Sequence, residues 1–429
     1  MGNYNIGTLD NGLRIIHLPS ASPVVYCGIG VKAGSRHELP GEEGLAHFCE
    51  HLSFKGTQRR SAVQIINAIE GVGGELNAFT NKEDTIYYCA ISRNHFKRAV
   101  DVLFDIVFCS EYPQAEVEKE REVVCEEIES YEDTPAELIY DEFENLLFAG
   151  NPLGHNILGT REKVRSYNTD DAHRFTARHY RPENCVFFAS GDIDFAKIAK
   201  GAPKAPEAPL SSPEGDTIDK SASKTIERLR VGEQSSGMAP SGAVGGAVGT
   251  IIRHRGTHQA HVMIGSTAFA ADDPRRWSLY LLNNILGGPG LNSRLNIALR
   301  ERRGLVYTVD SSMVSYSDMG LWAVYFGCDP DDVQRCCRLV RTELNRLMSH
   351  PLNDRQLTAA KRQLQGQLTI ASDNREQFAL DFAKNYLHSG KLRDLNDIMR
   401  HIEGLTPYDL QETANALFQE ERILTLVYK

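Results

Sequence analysis

The chain has 429 residues, 41% of them hydrophobic and 24% charged, with a formal net charge of −10. That is too long for one ordinary core and suits two domains of about 200 residues each in a soluble globular protein. The acidic balance and the lack of basic clusters argue against nucleic acid as a partner; no stretch is long enough to span a membrane, and no P-loop points to ATP.

The opening residues Met1 to Ile6 carry neither a secretory nor a presequence pattern, so a cytoplasmic protein is expected. Residues 5–9, the turn Asp10-Asn11-Gly12 and residues 13–18 predict a hairpin, and 24–31 a further strand. After Leu39-Pro40-Gly41, the residues Leu45, Phe48 and Leu52 fall at i, i+3 and i+7 and predict a helix closed by Lys55-Gly56. Within it His47-Phe48-Cys49-Glu50-His51 reads H-x-x-E-H, the reverse of the zinc-protease order H-E-x-x-H. His47 and His51, at i and i+4, share one face, and Glu50 points to the same side. Two imidazoles can then grip one Zn2+ while the carboxylate reaches an attacking water. Cys49, at i+2 from His47, points away from that face.

Next come a helix at 62–69, the glycine-rich Gly71-Val72-Gly73-Gly74, strands at 75–80 and 85–91, and helices at 95–108 and 114–131. Catalytic zinc needs a third protein ligand. In the last helix Val117, Val124, Ile128 and Tyr131 form an apolar stripe, with Glu120 and Glu127 on or beside it. Glu122 and Glu126 share the opposite face with Lys119. A carboxylate turned toward a core is costly unless paired or metal-bound. Glu127 is therefore the expected third ligand, and Glu120 the expected partner of a ligand histidine's other nitrogen. Periodicity leaves Glu126 and Glu129 open.

Strands and helices mix without βαβ alternation, which predicts the α+β class: α/β-sandwich domains with largely antiparallel sheets. The first domain is expected over 1–199, a flexible Gly/Ala/Pro/Ser-rich linker over 200–250, and a second, metal-free domain over 251–429. The second domain has a strand at 261–265, a helix at 277–286 broken by Gly287-Gly288-Pro289-Gly290, strands at 305–309 and 321–326, and then helices. This order is similar to the first domain's without the histidines, with residues 291–295 placed where the zinc helix would be, so a duplication that kept its metal once is expected. Nine scattered cysteines without a C-x-x-C pair read as reduced core thiols.

Taken together, the chain resembles the pitrilysin/insulinase zinc metallopeptidases, the inverzincins. It is most similar to their short two-domain branch, which includes the mitochondrial processing peptidase β subunit and its bacterial relatives. Residues 47–57 resemble that branch's zinc helix and 74–80 its substrate-binding edge strand. Residues 152–159, 180–192 and 287–307 carry further similar motifs. The resemblance implies one Zn2+ per chain, held by His47, His51 and Glu127, with Glu50 as general base. It implies that Arg300 and Tyr307 close over the substrate, and that Asn77, Ala78 and Phe79 bind it along the edge strand. It also implies an endopeptidase acting on extended peptides or presequence-like segments. One chain would form half of a clamshell, closed by a second copy or by an inactive paralogue, and its two domains together would supply a complete catalytic set. The alternative reading is a non-catalytic assembly subunit, like the core proteins of the respiratory cytochrome bc complex, which resemble the same family.

Overall fold

The structure is a computed structural model and describes residues 4–196 and 246–429. Most of the linker expected at 200–250 lies outside the described residues.

Six strands make the first sheet: β1 (Asn5–Thr8), β2 (Arg14–Pro19), β3 (Val24–Val31), β4 (Glu75–Thr80), β5 (Thr85–Ser92) and β6 (Cys185–Gly191). Their order is β1-β2-β6-β3-β5-β4, antiparallel throughout except for the parallel pair β2 and β6. Gly12 closes the first hairpin at φ +87°, where an L side chain is strained. Helices α1 (Leu45–Leu52) and α2 (Ala62–Glu70) connect β3 to β4. Five helices connect β5 to β6: α3 (Phe96–Phe108), α4 (Gln114–Glu132), α5 (Pro135–Leu147), α6 (Arg161–Ser166) and α7 (Thr169–His179).

The second sheet contains β7 (Gly249–Arg253), β8 (Ala260–Ala268), β9 (Val306–Ser315), β10 (Gly320–Cys328) and β11 (Leu424–Tyr428), ordered β7-β11-β8-β10-β9. Only β7 and β11 pair in parallel. Helix α8 (Arg276–Gly287) and a π-helical turn at Asn296–Glu301 connect β8 to β9. Helices α9 (Val333–Ser349), α10 (Asp354–Ala371), α11 (Arg375–Ser389), α12 (Leu395–Gly404) and α13 (Pro407–Leu417) connect β10 to β11.

Without β1, the two sheets share one strand order, one set of directions and the same succession of helices. The equivalences follow: α8 stands for α1, β9 for β4, α10 for α4 and α11 for α5. They correct one expectation. Residues 291–295 are not the counterpart of the zinc helix, because Gly287-Gly288-Pro289-Gly290 ends α8 and they lie beyond that end, leading into the π-helical turn.

Period-2 alternation sends strand side chains to two different cores. In the first sheet Ile15, Tyr87 and Phe187 join the core with α1, α3 and α4, while Ile16, Ile86 and Phe188 turn to Phe382 and Ala383 of α11. In the second sheet Val262, Trp322 and Val324 pack on α8 and α9, while Met263, Leu321 and Ala323 turn to Ile139 and Phe143 of α5. Each sheet is therefore closed on its second face by a helix from the other half of the chain. Two-sided burial explains why β6 is buried along its whole length.

The turn between β4 and β5 is also held by the second half. Asp84, 6% exposed, accepts a hydrogen bond from His388 Nε2 of α11 at 2.8 Å and one from Asn81 Nδ2 at 2.7 Å. Burial by itself would raise the Asp84 carboxyl, but the His388 hydrogen bond, the Lys384 charge and the Asn81 amide hold it below its ordinary value. Its stabilisation is therefore complete above the unfolded-state pKa of about 3.9 and is lost as pH falls through the lower folded value. Asp84→Asn should cost about 1–3 kcal/mol at neutral pH. Thermal unfolding across pH should also show the variant losing less further stability than the native chain below about pH 4. Equal acid sensitivity in the two proteins would contradict this account.

Candidate metal centre

Helix α1 is set by its ends. Gly44 precedes it at φ +91°, where an added Cβ would sit 2.5 Å from the Leu158 carbonyl oxygen. The Glu38 carboxylate accepts the Gly44 and Ala46 amides at 3.0 and 2.8 Å, placing an anion at the positive end of the helix. Leu45, Ala46, Phe48, Cys49 and Leu52 are buried in the first core. This burial turns His47, Glu50 and His51 to the remaining face, over α4 and the end of β4. Cys49 Sγ lies 3.9 Å from the Ala172 carbonyl oxygen, away from that face.

On α4, Val117, Val124 and Ile128 are buried as the stripe predicts, and Glu120 is 4% exposed. Glu127 Oε1 lies 3.8 Å from His47 Nε2, and Glu127 Oε2 lies 3.4 Å from His51 Nε2. One ligand atom from each of His47, His51 and Glu127 falls within 4.8 Å of the others. Zinc bonds of about 2.0–2.1 Å in a tetrahedron space the donors about 3.3–3.5 Å apart, so this set fits such an ion with small side-chain shifts. The Glu127 side chain is 44% exposed. It is not turned into the core, as the cost of a buried charge led one to expect; it stands at the open side of the group, and Glu120 is the buried carboxylate. The structure leaves Glu126 and Glu129 outside the group.

Glu120 Oε1 receives His51 Nδ1 at 2.9 Å, and Glu120 Oε2 receives Lys55 Nζ at 2.7 Å. Burial would raise Glu120, but His51 and Lys55 hold it below the usual carboxylate range. Burial opposes a charge on His51, yet Glu120 and Glu127 raise it to about 9. His47 is lowered to about 4, by burial first and then by the charge of His51. A cation on this set therefore displaces a proton from His51.

Glu50, 8% exposed, accepts a hydrogen bond from Thr80 Oγ1 at 2.6 Å. Burial raises its carboxyl, and the Thr80 hydrogen bond and His51 moderate that. Thr80 and Lys55 were missed as site residues: Thr80 ends the edge-strand motif without an assigned role, and Lys55 was read only as a helix-end cation.

Strand β4 is a sheet edge, with β5 on one side. Leu76 and Ala78 lean on the core beneath α1, and Thr80 reaches Glu50 from the same face. Alternation turns Asn77 and Phe79 to the opposite face. Phe79 packs against the cluster under α11, with Lys384 Nζ 4.6 Å from its ring centroid. The Asn77 side chain thus faces away from the metal group and Phe79 packs in the core, leaving Ala78 and the strand's main chain beside the group.

Arg300 lies with its guanidinium carbon 5.7 Å from the centroid of Tyr307, whose residue is 82% exposed. They line a cavity whose walls come wholly from the second half of the chain. Neither hydrogen-bonds nor ion-pairs with His47, Glu50, His51 or Glu127. Both residues belong to the second sheet's own surroundings.

Residues 15–161 match the family described as insulinase (peptidase family M16), and residues 166–364 match the peptidase M16 inactive domain. A protein of Streptomyces coelicolor named an uncharacterized zinc protease is 34% identical over 99% of this chain and 91% of its own length. The chain belongs to the M16 peptidase family. The uncharacterized zinc protease YmxG of Bacillus subtilis is 30% identical over 98% of this chain and 97% of its own. The crystal structure of a protease from Helicobacter pylori superposes with a TM-score of 0.86 over the whole of both chains at 22% identity, a likeness of fold. A peptidase M16 inactive domain from Pseudomonas fluorescens gives 0.84 at 18% identity, over 99% of this chain and 97% of its own. The duplicated architecture is thus that of an M16 chain.

Glu120→Gln should weaken zinc binding about 10–100-fold, as expected when a carboxylate orienting a ligand histidine is lost. His51→Ala should abolish stoichiometric binding. Competition with a chromogenic chelator reads both, and native-like affinity in His51→Ala would exclude His51 as a ligand.

Proposed function

We propose that the chain is a zinc-dependent endopeptidase acting on extended peptides, including presequence-like segments, with one zinc per chain. The observation that carries this reading is a buried carboxylate, Glu50, beside a three-ligand group that is open on the Glu127 side. A closed structural site would need a fourth protein ligand and no neighbouring base. Membership of a peptidase family and relatives named zinc proteases support the same reading.

Zinc held by His47, His51 and Glu127 would supply Lewis acidity, polarising the scissile carbonyl and making water nucleophilic near neutral pH. Glu50, with its carboxyl raised by burial, is suited to take the proton from that water and deliver it to the leaving amine. Thr80 holds one Glu50 oxygen at 2.6 Å and leaves the other for the transfer. Glu120 and Lys55 orient His51. The free edge of β4 offers main-chain hydrogen bonds to an added substrate strand, which recognises backbone with little demand on sequence.

Arg300 and Tyr307 donate to the substrate in this reading, and their place in a cavity walled wholly by the second half of the chain suits a homodimer in which each site is completed by the second copy. Such a pair of half-clamshells would admit unfolded chains and exclude folded ones. Free thiols at all nine cysteines support a cytoplasmic setting. No described helix is long and apolar enough to cross a membrane.

Glu50→Gln should keep stoichiometric zinc while cleavage of an unstructured fluorogenic peptide falls at least about 100-fold, the scale of a lost general base. Zinc-loaded wild-type protein that cleaves no member of a broad peptide library would overturn the enzymatic reading. Mixing Glu50→Gln with Arg300→Ala, each inactive alone, should recover activity through hybrid dimers. No recovery after subunit exchange would argue against shared sites.

A further inference from the structure

The chain between α5 and α6 is anchored on the second sheet and reaches back to the metal helix. Leu153 is fully buried in the cluster that α5 shares with Leu321, Ala323 and Leu426 of the second sheet. Main-chain bonds from Gly154 to Asn151 at 2.8 Å and from Gly159 to Asn156 at 3.1 Å fold this loop on itself. Its far end lies against the approach to α1: a Cβ added at Gly159 would sit 2.2 Å from the Glu43 carbonyl oxygen.

His155 stands in the middle of the loop and is held at two points. Its Nε2 donates to Glu38 Oε2 at 2.9 Å, and its carbonyl oxygen accepts from Lys82 Nζ. The Glu38 side chain is 1% exposed and carries the Gly44 and Ala46 amides at the head of α1. Burial pushes the Glu38 carboxyl up, and His155 with the two amides opposes that. Lys82 comes two residues after Thr80 and is 2% exposed, so burial draws its ammonium down and the His155 carbonyl serves as its close partner. Buried charges are costly unless hydrogen-bonded, which makes both contacts specific rather than incidental. One residue thus joins the head of α1, the helix of His47 and Glu50, to the turn after β4, whose Thr80 holds Glu50. The clamp of His51 and Lys55 on Glu120 lies at the other end of α1 and leaves this distance free.

We propose that His155 is a positioning residue for peptide hydrolysis, keeping the first turn of α1 in register with the end of β4. Its ring touches neither a metal ligand nor Glu50; it acts through Glu38. The catalytic consequence rests on the peptidase reading, and the contact itself does not. Without the imidazole Glu38 loses its side-chain donor, the first turn of α1 loosens, and Glu50 shifts against the main chain of β4 that takes the substrate. A misplacement of about 1 Å near the chemistry can cost about 100-fold in rate. The Lys82 contact is to the main chain and survives substitution, so side-chain variants isolate the imidazole.

The test compares full-length wild-type, His155→Ala and His155→Gln proteins, the glutamine amide replacing Nε2 as donor to Glu38. In zinc-loaded His155→Ala, kcat on a fluorogenic peptide should fall about 10–100-fold while KM stays within about twofold and zinc remains stoichiometric. His155→Gln should restore most of the rate. Hydrogen exchange read by mass spectrometry on the metal-free chains gives a measure independent of activity. Amides over residues 44–48 should exchange at least about tenfold faster in His155→Ala and near the wild-type rate in His155→Gln. Melting temperatures show whether each variant is folded, and if His155→Ala is not, His155→Phe carries the same comparison. The proposal is overturned if the folded variant lacking a donor keeps the wild-type kcat, if its loss lies in KM or in lost zinc, if exchange at the head of α1 is unchanged, or if glutamine restores nothing. Failure of the peptidase reading would show separately, as no cleavage by the zinc-loaded wild-type chain, while the exchange comparison still decides whether His155 holds α1.

Discussion

The hydrogen bond from His51 Nδ1 to Glu120 is the contact on which the metal group depends. At 2.9 Å it fixes which ring nitrogen of His51 remains for a metal, and it ties α1 to α4 at the point where Glu127 must approach. Lys55, in the turn just past the end of α1, holds the other Glu120 oxygen, so one carboxylate is clamped by His51 of the helix and by the turn that follows it. A buried carboxylate without those donors would tend to take up a proton, and His51 would lose the partner that selects its tautomer. Glu127 is free to remain half-exposed because Glu120 carries the burial.

Duplication lets one scaffold hold two kinds of chemistry. The strands, their directions and the helix succession recur, so α1, β4 and α4 in one half enclose the same space as α8, β9 and α10 in the other. Side chains alone decide what that space does: a metal-binding set in the first copy, and the cavity of Arg300 and Tyr307 in the second. The exchange of α5 and α11 between halves means that neither sheet closes its second face alone. Folding of the two halves is thereby linked, and the position of one cavity relative to the other is set by packed apolar surface.

Local signals were legible in the sequence. The H-x-x-E-H spacing placed three side chains on one helical face, and the apolar stripe of α4 set Glu120 and Glu127 on one side while leaving Glu126 and Glu129 open. What resisted reading was non-local. The continuous apolar run of β6 signals burial on both faces, but nothing in it says that the second cover comes from residues nearly two hundred positions away. The facing of Asn77 follows from alternation only once Thr80 is known to reach Glu50. That Arg300 and Tyr307 line a cavity walled by the second half alone is a property of the duplicated topology. The glycine-proline run hides the counterpart of the zinc helix in the sequence, and burial periodicity places it in the helix before that run.

The catalytic base and the contact between halves are linked by very little chain. Thr80, which holds Glu50, is the last residue of β4, and the turn that follows is gripped from the second half at Glu83 by Ser317 and at Asp84 by His388. Arg36 bridges the same turn to Asp318. A shift of one half against the other must therefore move the end of β4, and with it the hydroxyl that positions Glu50. Since α11 also packs on the sheet that carries β4 and β5, the apolar and polar contacts resist that shift together. The second half thus acts on the first without supplying a metal ligand: it keeps the edge strand and the base in register with the ion's ligands, which α1 and α4 alone would not do.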